Sequence, residues 1–387
     1  MSYKHNTFTV DLGPSYKNCE VEVSFQKHKF LFGCNGFGFI GLETKEETEQ
    51  YKTLFTKLFN MATLPFYLAQ YEPKEGKTKE KELSAASHWA SNEGIILKGH
   101  PLCWHTLWPE WMLQYDTKTI YSKTMARIER EVSHYKGTID MWDVINEVVI
   151  LPRFQRYDNG ISRLQREYGA ENLAFDCFKK AKEVNPDATL LINDFLLISE
   201  YKDLITRLLD RGCPIDVIGL QTHQHQGYLG LEAVQELIDT FGTFKLPLHF
   251  TENTLLSGRL VDPAIEDLND AYSNDWPSTE EGEQRQAKQI EEMYRLLYES
   301  DQVEALIWWD LQDGNWLNAP SGLVRKDYSL KPAYQKLDEL INIEWGYPQK
   351  TLVTNEKGQL DITGPEGDYS LNIKDKIQNV CLSKDSL

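Results

Sequence analysis

Two short segments each carry a run of apolar residues into a glutamate: WDVINE, which ends in Glu147, and LHFTEN, which contains Glu252. A carboxylic acid can protonate a departing oxygen, and a carboxylate can attack an electrophilic carbon. Hydrolysis of a glycosidic bond needs one of each, set on either side of the bond that breaks. Either glutamate alone reads more simply as a cap or an ion-pair partner. The matched pair, each at the end of an apolar run, favours chemistry, with Glu147 as acid/base and Glu252 as nucleophile.

Other segments bring hydrogen-bonding and aromatic groups of a matching kind. GHPLCWH supplies His100, Trp104 and His105; GLQTHQHQG supplies Gln221, His223 and His225; IWWDLQDGNW supplies Trp308, Trp309 and Trp316. Sugars offer apolar ring faces and rows of hydroxyls, so their sites combine flat aromatics with neutral polar side chains. The alternating His223 and His225 also fit a metal, with His100 and His105 as further ligands. No cysteine or acidic residue completes a tetrahedral set, so neither metal nor cofactor is expected. His223 is read instead as a hydrogen-bond partner of the nucleophile region. No phosphate-binding loop or G-x-S-x-G nucleophile motif competes.

Positioning two such glutamates needs a scaffold, and the chain offers one. Near-continuous apolar segments at 30–39, 59–64, 95–104, 139–146, 189–194, 216–222, 246–251 and 304–311 read as parallel strands buried on both faces. Between them, residues 45–59, 118–134, 171–184, 231–241 and 280–298 carry apolar positions at helical spacing. This alternation predicts a closed (β/α)8 barrel over 30–345. An open doubly wound sheet is the alternative, but no glycine-rich loop follows a strand. The glutamates close the fourth and seventh strands, at the barrel end where catalytic groups collect. Long polar connections at 148–171 and 257–284 follow the same two strands and belong to that face. Residues 1–29 and 346–387 fall outside the rhythm. VEVSFQKHKF alternates like a strand, and NEKG and GPEG separate three short β-like runs, so the tails are expected to build a small β appendage.

The formal net charge of −18 opposes nucleic acid and anionic membranes and suits a neutral carbohydrate. No apolar run approaches the ~18–20 residues of a membrane span, and the first residues lack an apolar signal region, so the default expectation is cytoplasmic. The six cysteines are scattered and read as buried free thiols. Oligomeric state is not legible.

From about Phe32 to Leu340 the sequence resembles family 10 of the glycoside hydrolases, best known for endo-β-1,4-xylanases. GHPLCWH, WDVINE, LLINDF, DVIGLQTH, FTEN and GLVRKDYSLKPAY occur in the family's order. The resemblance implies Glu147 as acid/base and Glu252 as nucleophile. It places His100, Asn146, Gln221, His223 and Trp308 around the sugar of subsite −1, with Trp316 as a mobile aromatic above it. Asn146 stands where the family binds the sugar 2-hydroxyl.

The departures gather at subsite −2. Pro65 and Phe66 stand where the family carries an acid and an amide, Ala69 near its lysine, and Leu107 where it has a glutamine. Thr254 replaces the acid two residues beyond the nucleophile. Each lost hydrogen bond to a sugar is worth roughly 0.5–1.5 kcal/mol. Pro65, Phe66, Tyr67 and Leu107 are expected to form an apolar wall there. The leading expectation is a retaining enzyme for xylo-oligosaccharides or related β-xylosides. The alternatives are a β-glycosidase for an aglycone-linked, saponin-type sugar and a sugar-binding protein without turnover.

Overall fold

The computed structural model describes residues 4–384; the outermost residues of both tails, 1–3 and 385–387, lie outside it. In chain order its strands are β1 (His5–Asp11), β2 (Glu20–His28), β3 (Leu31–Asn35), β4 (Met61–Pro65), β5 (Ile96–His100), β6 (Met141–Asn146), β7 (Thr189–Asp194), β8 (Val217–Gln224), β9 (Leu248–Leu255) and β10 (Val303–Trp308), then β11 (Lys350–Val353), β12 (Gln359–Pro365), β13 (Gly367–Ile373) and β14 (Lys376–Leu382). Strands β3 to β10 close into a parallel barrel, with β10 paired to both β3 and β9. The helices between them include α1 (Lys45–Leu58), which starts on a Thr44/Glu47 capping box that ties up two otherwise free N–H groups.

Two layers of side chains fill the barrel region. Leu31, Met61, Ala305 and Ile307 form a small inner cluster, while a much larger one joins the outward faces of the strands to the helices. Along β10, Ala305 and Ile307 point in, so Leu306 and Trp308 point out to the helices by the two-residue alternation of a strand. The same alternation in β4 sends Met61 inward and Leu64 outward.

The boundaries depart from the sequence reading in instructive places. The third barrel strand was expected to run to 104 but ends at His100, because Pro101 has no N–H to give the ladder. A single bridge from Cys103 to Ile145 resumes the pairing. The first ends at Asn35, where a 3₁₀ turn over Phe37–Ile40 takes over. The seventh, β9, runs through Glu252 to Leu255, past a bulge.

The tails pair with each other. β1 lies against β12, and β2 sits between β11 and β13 in a four-stranded sheet completed by β14. Four strands rather than three follow the barrel. Phe8, Val21, Val23, Leu360, Ile362, Tyr369 and Leu371 give this appendage its own core. Cys34, Cys103, Cys177 and Cys213 are buried free thiols, whereas Cys19 is half-buried and Cys381 exposed, against expectation. No helix among the described residues is long and apolar enough to cross a membrane.

Candidate active site

By alternation, Phe250 and Glu252 would both face the helices. The backbone breaks the alternation instead. Gln221 of β8 pairs with Thr251 but His223 pairs with Thr254, and on the other side Leu306 pairs with Phe250 but Trp308 with Asn253. The extra residue in β9 is accommodated with Glu252 in left-handed backbone, φ 55°, as bulges do when they re-aim a side chain. Glu147, just past β6, has φ 58°. Both side chains are thereby brought among the polar groups of the barrel mouth, 13% exposed for Glu147 and 7% for Glu252.

The two carboxyls have opposite surroundings. Glu252 accepts from Asn193 Nδ2 at 2.9 Å and lies 3.2 Å from His223 Nε2, with His100 Nε2 at 3.9 Å. Burial opposes its ionisation, but the positive potential of His100 and the bond to His223 outweigh burial and hold it below the usual carboxylate range. Glu147 accepts from Trp104 Nε1 at 2.7 Å, and more loosely from Asn146 Nδ2 at 3.2 Å and Gln221 Nε2 at 3.5 Å. Burial, then the charge of Glu252, pushes it up to about 8. One carboxyl therefore stays protonated at a pH where the other is ionised, the separation that acid–base chemistry at one bond requires.

Asn146 links them. Its Oδ1 accepts from Asn193 Nδ2 at 2.9 Å and Gln221 Nε2 at 3.0 Å. Asn193, at the end of β7, thus reaches both Asn146 and Glu252, and its Oδ1 accepts from Thr251 Oγ1 at 2.6 Å. The neighbouring strand makes room: a Cβ on Gly219 would sit 2.5 Å from Asn193 Oδ1. Asn193 carries no signal of its own in the sequence, although the LLINDF segment containing it does. His100 is fixed from below by Asp143, 2.7 Å from its Nδ1, and Asp143 also pairs with Lys98 at 2.7 Å. Asp143 is acceptor-only when ionised, so it favours a proton on Nδ1 of His100.

An aromatic group stands over this floor. Tyr67 meets His100 edge-on at 5.5 Å and Trp104 at 5.5 Å, while Trp309 meets His100 at 5.6 Å and Phe37 at 5.3 Å. Trp316 lies 4.4 Å from the His223 ring and 5.0 Å from that of His225, its backbone N–H given to Asp310. His100, Trp104, Asn146, Gln221, His223 and Trp316 therefore gather around Glu147 and Glu252.

Two expectations need correction. Trp308 does not reach the mouth: it is wholly buried and donates its indole N–H to the Ser321 carbonyl at 3.1 Å. Trp309, the inward neighbour, takes that place. Phe66 is likewise absent from any cleft wall; it packs in the outer core against Tyr71, Tyr135 and Trp142. Ala69 and Leu107, by contrast, lie side by side, joined by a 2.8 Å backbone hydrogen bond, and Leu107 is 38% exposed. The Nδ1 of His225 lies 3.1 Å from the Thr254 hydroxyl rather than against either carboxyl. No group of three or more potential metal ligands occurs among the described residues.

Known proteins with similar sequences and shapes carry the same barrel. The chain is 27% identical over 355 residues to endo-1,4-beta-xylanase C of Paenibacillus barcinonensis, covering 81% of this chain but 32% of that protein. It is 27% identical over 293 residues to an endo-1,4-beta-xylanase of Geobacillus stearothermophilus, covering 69% of this chain and 83% of that one. This chain thus spans about a third of the first relative and most of the second. The structure of GH10 from Paenibacillus barcinonensis superposes with a TM-score of 0.69 at 22% identity, over 82% of this chain and 96% of that one, and shares its fold. The family model of glycosyl hydrolase family 10 matches residues 29–340, and the chain belongs to that family.

Proposed function

We propose that this chain hydrolyses β-glycosidic bonds of xylo-oligosaccharides or related β-xylosides with retention of configuration. The reading rests above all on the opposed ionisation of Glu147 and Glu252, the first pushed up to about 8 by burial and its neighbour, the second held low by His100 and His223. In the first step Glu252 attacks the anomeric carbon while Glu147 gives its proton to the departing oxygen. The covalent sugar leaves no negative charge on Glu252, so the field that held Glu147 protonated weakens. Glu147 can then take a proton from water, which attacks the same carbon and frees Glu252.

Asn146, held by Asn193 and Gln221 and 3.2 Å from Glu147, is the group we assign to bond a sugar hydroxyl. Trp104 and the Tyr67–Trp309 side offer ring faces for sugar C–H groups. The family resemblance to xylanases supports a xylose-type sugar in this position.

Length of substrate is the finer part of the proposal. With Ala69 and Leu107 adjacent in place of polar groups, a second sugar on the non-reducing side would lose water from its hydroxyls without replacement. Substrates that fill one glycone position are therefore favoured over polymer. Product analysis across aryl β-glycosides, xylotriose and xylan tests this. Preference for aryl β-xyloside or short oligosaccharide is expected. A rise in kcat/KM of about a hundredfold with added non-reducing sugars would contradict it.

A further inference from the structure

The long connection after β9, residues 256–279, does not splay into solvent. Its start is tied to the end of β8, where Val261 N–H donates to the His225 carbonyl at 2.9 Å. Its far limb is tied to the loop after β10, where Asn318 Nδ2 donates to the Ser273 carbonyl at 2.7 Å, close in sequence to Trp316. Its middle crosses to a third element. Arg156, in the loop after β6, gives one guanidinium nitrogen to Asp267 and the other to Asp270.

The loop carrying Arg156 also reaches toward Glu147 through His105. Phe154, two residues earlier, lies edge-on to His105 at 4.3 Å, and His105 Nε2 is 3.9 Å from Glu147 Oε2. Tyr157 packs on Phe154 at 5.0 Å. The charges of Asp267 and Glu147 are both felt at Tyr157, and that of Asp267 at buried His105. The bridge is thus linked to Glu147 through Phe154 and His105, on the β6–β9 half of the mouth. Tyr67, His100 and Trp309, which follow or end β4, β5 and β10, gather on the other half, with His100 Nε2 3.9 Å from Glu252. On the proposed mechanism Glu147 protonates the leaving group, which assigns that group to the bridged half.

We propose that the Arg156–Asp267–Asp270 clasp fences the leaving-group side of the cleft and sets how long a leaving group the enzyme accepts. Arg156 touches neither carboxyl of the pair and acts by holding residues 262–275 against the loop after β6. It is a positioning residue for specificity, favouring a single sugar or compact aglycone over a continuing chain. The inference rests on the proposed glycosidase reading and adds to it the opposite, leaving-group side.

The test compares wild type, Arg156→Ala and the charge-swapped pair Arg156→Asp with Asp267→Arg, on an aryl β-xyloside and on xylotetraose. Opening the clasp should raise the ratio of kcat/KM for xylotetraose to that for the aryl xyloside by about tenfold, mostly through KM. The swap should bring it back toward wild type. Amide hydrogen exchange over residues 262–275 in the substrate-free protein should quicken in Arg156→Ala and slow again in the swap. An active enzyme whose ratio is unmoved or falls on opening, or unchanged exchange, overturns the clasp and leaves the proposed activity standing. A wild type inert toward every β-glycoside sinks that activity and the clasp with it.

Discussion

Glu147 and Glu252, on strands three apart in the barrel, share one backbone conformation, with φ of 58° and 55°. Left-handed backbone costs a residue with a Cβ roughly 1–2 kcal/mol, and here it turns each carboxyl out of the strand alternation and into the mouth. Glycine adopts it without that cost. Glu252→Gly should consequently be more stable than Glu252→Ala by about 1 kcal/mol, the reverse of the usual order within a strand. Urea unfolding of the two variants measures this, and a more stable alanine variant would remove strain from the account of the site.

The pH dependence of kcat/KM follows from the two carboxyls as a coupled pair. In the proposed mechanism the reactive form has Glu252 ionised and Glu147 protonated. Activity should rise below the usual carboxylate range as Glu252 loses its proton, hold across neutral pH, and fall near 8 as Glu147 ionises. With an aryl xyloside whose leaving group needs no proton, Glu147→Ala should lose the alkaline limb while retaining measurable activity. An alkaline limb that persists in that variant would assign it to another group.

Glu147 also weighs on stability. Between its unfolded value of about 4.3 and its folded value of about 8, the folded protein holds a proton that the unfolded chain has released. Stability should fall as pH rises through that window and level off above it. Glu147→Gln removes the titration, so its melting temperature should exceed that of wild type by several degrees at pH 8 and by much less at pH 4.5. A difference independent of pH would mean that Glu147 titrates normally.

The correction at strand β10 separates two adjacent tryptophans. Trp309→Phe should lower kcat/KM on aryl xylosides by about tenfold, since its ring stands beside His100. Trp308→Phe should lower stability by ~1–3 kcal/mol and leave the rate per folded molecule within a few-fold. Loss of rate from the Trp308 variant alone would restore the original assignment.

Much of this architecture is local in the chain and therefore legible. The eight strands are continuous apolar runs because parallel strands are covered on both faces, and WDVINE and LHFTEN mark their glutamates within a few residues. What escapes is parity and distance. Trp308 and Trp309 differ only in which way a strand residue points, and the inward positions Ala305 and Ile307 set that face; Phe66, at the even parity of Ala62 and Leu64, points outward for the same reason. The bulge that rescues Glu252 from the outward face leaves no signature in LHFTEN beyond the glutamate itself. Asn193 draws its importance from Asn146 and Glu252, 47 and 59 residues away. The Arg156 clasp joins residues 111 and 114 positions apart, and β1 with β12 lies still further beyond any sequence pattern.

The central claim is that Glu252 forms a covalent bond to the sugar and Glu147 serves both halves of the reaction. The anomeric configuration of the first-formed product, read by proton NMR before mutarotation, tests it most directly. Two displacements at one carbon predict that the β-xyloside yields β-xylose first. Initial appearance of the α-anomer would mean a single displacement by water, and would contradict the roles given to Glu147 and Glu252.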